Sequence, residues 1–149
     1  AIEEGGTILT GGTRSMMGGV GPTPEGAYLA PTVIGGLSHL SRCATEEIFG
    51  PVVTVHTFDR LAEVTEMANA TDYGLAGSIW TQDVEVGKAL AKTIETGIVW
   101  INTWLHRDLR TPFGGVKHSG VGREGGQWSL GFFSETTNIC VMNPRELDD

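Results

Sequence analysis

The chain of 149 residues carries 18 acidic and 10 basic side chains, a net charge of −8 at pH 7, within an ordinary composition of 40% hydrophobic and 19% charged residues. This length fits one domain, and the negative charge argues against nucleic acids and anionic membranes as partners, because both would repel the chain. No apolar run is long enough to span a bilayer and no secretory signal is recognisable, so we expect a cytoplasmic protein.

The first elements are short and interrupted by glycine. Residues 1–6 have the pattern of a helix end, with acidic residues followed by two glycines, and this predicts a fragment of a longer chain. A short strand is predicted at 7–10 and a surface loop at 13–25. An extended edge segment is predicted at 28–34 and a β-branched strand at 52–58.

Two segments then follow the 3.6-residue period of an amphipathic helix. The first begins after Asp59, a candidate N-cap, and the second is stopped by Gly97. The apolar face of the first holds Leu61, Val64, Met67 and Ala68, and the face of the second holds Val86, Ala89, Leu90, Thr93 and Ile94.

Strands are predicted at 76–80, between these helices, and at 98–101, after the second. The resulting β-α-β-α-β order is typical of an α/β domain with a mostly parallel sheet and flanking helices. A last helix is predicted at 127–133 and a last strand at 138–141. We therefore predict one domain over residues 1–142 and a flexible acidic tail at 143–149.

A glycine pattern near the C-terminus matches a dinucleotide-binding fingerprint but lacks its context. Residues 120–125 read Gly-Val-Gly-Arg-Glu-Gly, yet a glycine-rich loop precedes them where the fingerprint requires a buried strand. With 22 glycines in the chain a chance match is easy, so we interpret these residues as a structural loop.

Five ordered motifs together resemble the aldehyde dehydrogenase superfamily. They begin at Thr45, Asn69, Gly97, Pro112 and Ser119 and read TEEIFGPV, NATDYGLA, GIVWIN, PFGG and SGVGRE. The likeness runs from about Ile8 to Val141. It implies the C-terminal portion of a catalytic domain, with an oligomerisation strand at about 136–142 and a homo-oligomeric enzyme.

The same resemblance implies a cofactor site in the first motif. In the family, the carboxylate at the position of Glu47 bonds the nicotinamide ribose hydroxyls, and the aromatic at Phe49 packs near the nicotinamide ring of NAD, with NADP not excluded. A carboxylate only accepts hydrogen bonds and so suits a diol. The alternative is that Glu46 and Glu47 are an ordinary solvated acidic pair, a role that we expect for Glu46 only.

Residues 102–113 correspond to the loop that lines the substrate tunnel of the family. The candidate substrate-binding residues are Trp104, Leu105, Arg107, Arg110 and Phe113. Two guanidinium groups suit a carboxylate, which predicts an acidic semialdehyde as the substrate. The loop is similar to that of 2-aminomuconate and 2-hydroxymuconate semialdehyde dehydrogenases. The alternative is that Arg107 pairs with Asp108 or another acid and only holds the loop.

The resemblance places the nucleophilic cysteine outside this chain. Cys43 and Cys140 lack metal-ligand spacing and any local signal for a lowered pKa, so we predict two reduced structural thiols, no catalytic residue and no metal site. The chain is then either part of a semialdehyde dehydrogenase, inactive without its missing N-terminal part, or an inactive stand-alone module for binding or oligomerisation. A third alternative is a dehydrogenase for a neutral or amino aldehyde.

Overall fold

The computed structural model describes residues 1–13 and 28–142. A 3-10 helix at Ile2–Glu4 opens the chain, and Gly5 ends it with φ of 87°. The other elements are, in chain order, β1 (Thr7–Thr10), β2 (Thr32–Gly35), α1 (Arg42–Thr45), β3 (Val52–Val55), α2 (Leu61–Asn69), β4 (Tyr73–Gly74), β5 (Ala76–Ile79), α3 (Val84–Ala91), β6 (Ile98–Ile101), β7 (Val116–Lys117) and α4 (Gly126–Phe132).

The strands form three separate sheets within the described residues. β2 pairs in parallel with β3, and β5 pairs in parallel with β6, as the alternating element order predicts. β1 is antiparallel to β2, and the two-residue strands β4 and β7 form a second antiparallel pair. The α/β class is therefore present, but the predicted single, mostly parallel sheet is divided because β3 and β5 do not pair.

The unit β5-α3-β6 is a parallel crossover with a well-defined helix start. The carboxylate of Asp83 accepts hydrogen bonds from the backbone N–H groups of Glu85, at 3.0 Å, and Val86, at 3.1 Å, and so caps α3. Gly87 faces Ile101 of β6, where an added Cβ would lie 3.2 Å from a side-chain methyl. The helix thus packs closely on the strand that leads into the candidate substrate loop.

Several predicted boundaries are wrong by a short distance. The N-cap of α2 is Arg60 and not Asp59, whose backbone N–H instead donates to Glu63 at 3.0 Å. Helix α3 ends at Ala91, before the predicted face is complete and before Gly97. The predicted loop at 13–25 and the tail at 143–149 fall almost entirely outside the described residues.

The predicted C-terminal strand is absent from the structure. Residues 134–142 form neither helix nor strand, and the side chains of Ile139 and Val141 are exposed. A strand requires a hydrogen-bonding partner, and no backbone of the described residues pairs with this segment. The apolar alternation at 138–141 therefore does not form a strand within this chain.

The glycine-rich residues 120–125 form a loop, as predicted. The strand before them, β7, has two residues and pairs antiparallel with β4, and the helix after them has seven residues. This is not the buried parallel strand followed by a long helix that holds a pyrophosphate.

Few apolar side chains are covered. Within the described residues the buried hydrophobic side chains are those of Ile34, Leu37 and Trp100. Large apolar side chains remain exposed on α4 and after it, among them Phe132, Phe133 and Val141. Such uncovered faces favour association with other protein surfaces.

No helix in the described part of the chain could span a membrane.

A backbone contact between Gly97 and Gly114 joins β6 to the loop that follows it. A Cβ added to Gly97 would lie 1.5 Å from the carbonyl oxygen of Gly114, which is far inside any permitted contact. The N–H of Gly97 also donates to the carbonyl of Gly74 at 3.1 Å. Only glycine therefore allows β4, β6 and the PFGG loop to meet.

We expect Gly97→Ala to lower the free energy of unfolding by more than about 4 kcal/mol, because the backbone must move to admit the methyl group. The matched control is Gly131→Ala in α4, where an added Cβ meets nothing within 4 Å; it should leave stability unchanged or raise it by up to about 1 kcal/mol. Urea unfolding followed by tryptophan fluorescence measures both. Equal stability of the two variants would contradict the close approach.

Candidate cofactor and substrate site

The loop between α1 and β3 projects an aromatic ring outward. Phe49 has φ of 53°, a left-handed conformation that is unfavourable for a bulky residue, and it is 92% exposed. The C-terminal side of the loop is fixed, since Thr32 N–H donates to the carbonyl of Pro51 and Val52 N–H to that of Gly50, each at 2.8 Å. A strained backbone that exposes an apolar ring is consistent with a ligand-binding role.

The two neighbouring glutamates have different environments. Arg42 donates from Nε and Nη2 to the two carboxylate oxygens of Glu46, both at 2.9 Å, and these bonds hold the pKa of Glu46 below its ordinary value. The carboxylate of Glu47 accepts no hydrogen bond and forms no ion pair with any described residue. Glu46 is therefore engaged at the surface, whereas Glu47 keeps its full acceptor capacity.

Glu47 borders two open clefts. One, of about 400 Å³, is also lined by Glu4, Arg42 and Cys43. The other, of about 380 Å³, is also lined by Leu75 and Ser119. The half-buried Cys43 is thus near this loop, whereas Cys140 is exposed in the segment after α4. No group of three possible metal ligands occurs within the described residues.

The candidate substrate loop folds back over β6. The side chain of Asn102 forms two 2.8 Å hydrogen bonds with the backbone of Thr81, and so fixes the start of the loop. The indole N–H of Trp100 donates to the carbonyl of His106 at 2.8 Å, and the Trp104 ring packs edge-on against Trp100 with centroids 5.1 Å apart. Trp104 and Leu105 are nevertheless more than half exposed.

Arg107 contacts an acid and an aromatic ring. Its Nη2 donates to Oε1 of Glu124 at 2.6 Å, and its guanidinium carbon lies 4.2 Å from the centroid of the Phe113 ring. The backbones of Phe113 and Glu124 form an antiparallel bridge with hydrogen bonds of 2.8 and 2.7 Å. The acid partner of Arg107 is thus Glu124 and not the adjacent Asp108.

Arg110 is engaged by Asp108. Nε of Arg110 lies 2.9 and 3.1 Å from the two carboxylate oxygens, and Nη2 contacts Oδ2 as well. These bonds, with a further one from the Arg110 backbone N–H, lower the pKa of Asp108 and raise that of Arg110. The fork of this guanidinium is occupied, and its side chain is 88% exposed.

The structure brings only part of the predicted site together. A cleft of about 450 Å³ is lined by Phe113, Glu124, Leu75 and Ser119, and the last two also line the cleft that holds Glu47. The cleft beside Glu47 and the cleft beside the PFGG loop therefore share a wall next to β4. The predicted residues that line neither cleft are Phe49, Trp104, Leu105, Arg107 and Arg110.

Sequence reasoning missed the part played by Glu124. The sequence predicts only a structural loop at 120–125, yet the carboxylate of Glu124 accepts a hydrogen bond from Arg107, 17 residues away in the chain. No local pattern indicates a pair at this separation, because the contact depends on the Phe113–Glu124 bridge.

Comparison with known proteins identifies similar sequences and folds. The profile of the aldehyde dehydrogenase family matches residues 1–139. The chain is 48% identical over 149 residues to a 2-aminomuconic 6-semialdehyde dehydrogenase of Pseudomonas sp., covering 100% of this chain and 30% of that protein. It is also 48% identical over 145 residues to a 2-hydroxymuconic semialdehyde dehydrogenase of Pseudomonas sp. strain CF600, covering 95% of this chain and 29% of that protein.

A solved structure shares the fold. The betaine aldehyde dehydrogenase of Staphylococcus aureus in complex with NAD+ superposes with a TM-score of 0.81 at 38% identity, covering 89% of this chain and 26% of that one. The chain therefore spans less than a third of the length of the proteins that it matches.

The Asp108–Arg110 contact predicts a titration. The pKa of Asp108 is lower in the folded chain than in the unfolded chain. The contact therefore stabilises the folded loop fully at pH values above the unfolded pKa. This stabilisation is lost as the pH falls through the folded pKa, where Asp108 becomes protonated. Carboxyl ¹³C NMR should show Arg110→Ala raising the pKa of Asp108 towards its ordinary value. The control Arg107→Ala should leave it in place; a rise in both variants would mean that the pairing is not specific.

Proposed function

The chain belongs to the aldehyde dehydrogenase family, and from this membership we propose that it forms the C-terminal part of the catalytic domain of an NAD-dependent semialdehyde dehydrogenase. The proposed reaction oxidises an aldehyde to a carboxylic acid. The observation that carries the proposal is the loop at 46–51, in which the carboxylate of Glu47 pairs with no described residue and lies beside the outward-facing, strained Phe49.

In this proposal Glu47 and Phe49 contact the nicotinamide half of the cofactor. A carboxylate that pairs with no described residue would be free to accept a charge-assisted hydrogen bond from each of the two ribose hydroxyls. An exposed aromatic ring suits the face of the nicotinamide. The bound cofactor would accept the hydride from the substrate. The NAD+ complex of the betaine aldehyde dehydrogenase supports this choice. NADP is the alternative, because both cofactors share this ribose.

The proposed substrate carries a carboxylate in addition to its aldehyde. Two of the relatives are named for 2-aminomuconic and 2-hydroxymuconic semialdehydes, which are molecules of this class. Arg107 is the proposed carboxylate ligand, with Trp104, Leu105, Arg110 and Phe113 forming the loop around it. A guanidinium matches a carboxylate in shape and charge, so this residue type supports an acidic substrate.

We assign no catalytic nucleophile to this chain. The covalent and hydrolytic steps would be carried out by another part of the enzyme, and the chain alone is expected to be inactive. Its contribution is to bind the nicotinamide ribose and the far end of the substrate.

Two alternatives have support in particular contacts. The ion pair of Arg107 with Glu124 favours a dehydrogenase for a neutral or amino aldehyde, in which Arg107 only holds the loop. The exposed apolar side chains of Phe132, Phe133, Ile139 and Val141 favour an inactive module that oligomerises through its C-terminal segment. The kinetic tests below separate both from the main proposal.

The cofactor role predicts that Glu47→Gln weakens NAD binding. In the complete enzyme that contains this chain, we expect the Kd for NAD to rise about tenfold, because a hydrogen bond to a charged acceptor becomes a neutral one. Glu46→Gln is the matched control, since that carboxylate is engaged by Arg42; it should change the Kd less than about twofold. Isothermal titration measures both, and equal effects at the two positions would refute the assignment.

The substrate role predicts that Arg107→Ala acts selectively. We expect kcat/KM for 2-hydroxymuconic semialdehyde to fall about 30-fold, which corresponds to losing roughly 2 kcal/mol of charged hydrogen bonding. The value for hexanal, a neutral aldehyde with the same number of carbons, should change less than about threefold. A matching loss with both aldehydes would favour the neutral-aldehyde alternative, and absence of any NAD-dependent activity would favour the inactive module.

A further inference from the structure

The guanidinium of Arg107 is held from two sides. Glu124 accepts a hydrogen bond from Nη2 at 2.6 Å, and the Phe113 ring lies beneath the guanidinium at 4.2 Å. The Arg107 side chain is 33% exposed, so it is partly covered in a loop whose other long side chains are open to solvent. These two contacts define one orientation of a side chain that is otherwise flexible.

The two supporting residues form a single structural unit. Phe113 and Glu124 are joined by both backbone hydrogen bonds of their bridge. Arg123 strengthens the same corner, because its Nη1 donates to the carbonyl of Gly115 at 2.8 Å and to that of Gly122 at 2.7 Å. A movement of Glu124 relative to Phe113 would break these bonds, so the bridge gives Arg107 a rigid support.

We propose that Glu124 is the positioning residue for Arg107, holding its guanidinium ready for the carboxylate of the substrate. This inference rests on the proposed function. A guanidinium has five N–H donors, and within the described residues Glu124 takes the bond from one of them. The remaining donors can bind a substrate carboxylate while the side chain stays in place. Because the arginine is already ordered, substrate binding does not have to supply that ordering free energy.

Arg110 lacks this arrangement. Asp108 contacts both its Nε and its Nη2, so one of the two edges that can bind a carboxylate through paired hydrogen bonds is already occupied. Its side chain is also 88% exposed and lies over no aromatic ring within the described part of the loop. The geometry therefore assigns carboxylate recognition to Arg107, supported by Glu124, and leaves Arg110 with a role in the loop itself.

Three variants of the complete enzyme test this inference. Glu124→Ala removes the support, Glu124→Gln keeps an oxygen acceptor for Nη2 without the charge, and Asp108→Ala removes the corresponding partner of Arg110. For each, kcat and KM are measured with 2-hydroxymuconic semialdehyde and with hexanal. The readout is selectivity, the ratio of the two kcat/KM values, which a general loss of folded enzyme does not change.

We expect Glu124→Ala to lower the selectivity about tenfold, through a higher KM for the acidic aldehyde, because Arg107 must then be ordered at each binding event. Glu124→Gln should restore selectivity to within about threefold of the parent enzyme, since Nη2 keeps its acceptor. Asp108→Ala should also remain within about threefold, because Arg110 does not bind the carboxylate.

Other outcomes overturn the inference and show which part of it fails. Unchanged selectivity in Glu124→Ala, together with a selective loss in Arg107→Ala, would refute the positioning role and leave the proposed function standing. A fall in kcat with both aldehydes in Glu124→Gln would indicate that this carboxylate acts in the chemical step instead. Absence of a selective effect in Arg107→Ala itself would refute the acidic-substrate proposal, and the inference with it.

Discussion

The arrangement of the site depends on direct backbone-to-backbone packing at three glycines, Gly74, Gly97 and Gly114. Gly97 meets the carbonyl of Gly114 and donates its N–H to the carbonyl of Gly74. Gly74 is itself buried, and a Cβ added there would lie 2.4 Å from the carbonyl oxygen of Glu95. These glycines bring β4, β6 and the PFGG loop within van der Waals distance, and they fix Phe113 relative to the cleft that borders Glu47. The position of the substrate loop follows from glycine at these points.

The sequence predicted those elements whose signal is local. β-branched runs indicated β3 and β6, and the helical period indicated α2 and α3, because side-chain spacing determines which face can be buried. The antiparallel pair of β4 and β7 was not predicted, since two-residue strands have no period to detect. The strand predicted at 138–141 does not form within this chain for a different reason: a strand requires a pairing partner, which no described residue of this chain provides. Its role as an oligomerisation strand stays a prediction.

In the site too, the sequence predicts features with a local signal and misses those that depend on tertiary contacts. The motif at 45–52 identified Glu47 and Phe49 as cofactor candidates, and these roles stay predictions. The structure adds that Arg42 engages Glu46, whereas Glu47 pairs with none of the residues in the described ranges. In the substrate loop, the contact of Arg110 with Asp108 spans two residues and could have been anticipated from spacing. The contact of Arg107 with Glu124 spans 17 residues, and it exists because a tertiary bridge places the acid beside the Phe113 ring.

Because the net charge of the chain is −8, the contact between Arg107 and Glu124 matters for the proposed binding of an anionic substrate. A chain with this charge repels an anionic substrate at long range, although salt screens the repulsion beyond about 8 Å. In the proposed function, recognition of a carboxylate would therefore rely on short-range hydrogen bonds whose direction is fixed before the substrate arrives. A freely moving arginine on a negative surface would pair with whichever acid is nearest, as Arg110 does with Asp108. Arg107 also pairs with an acid, but Glu124 contacts it at a single nitrogen and its guanidinium lies over an aromatic ring, so other hydrogen-bond donors stay available for a ligand. The proposed specificity for a carboxylate would then depend on donor geometry and not on the charge of this chain.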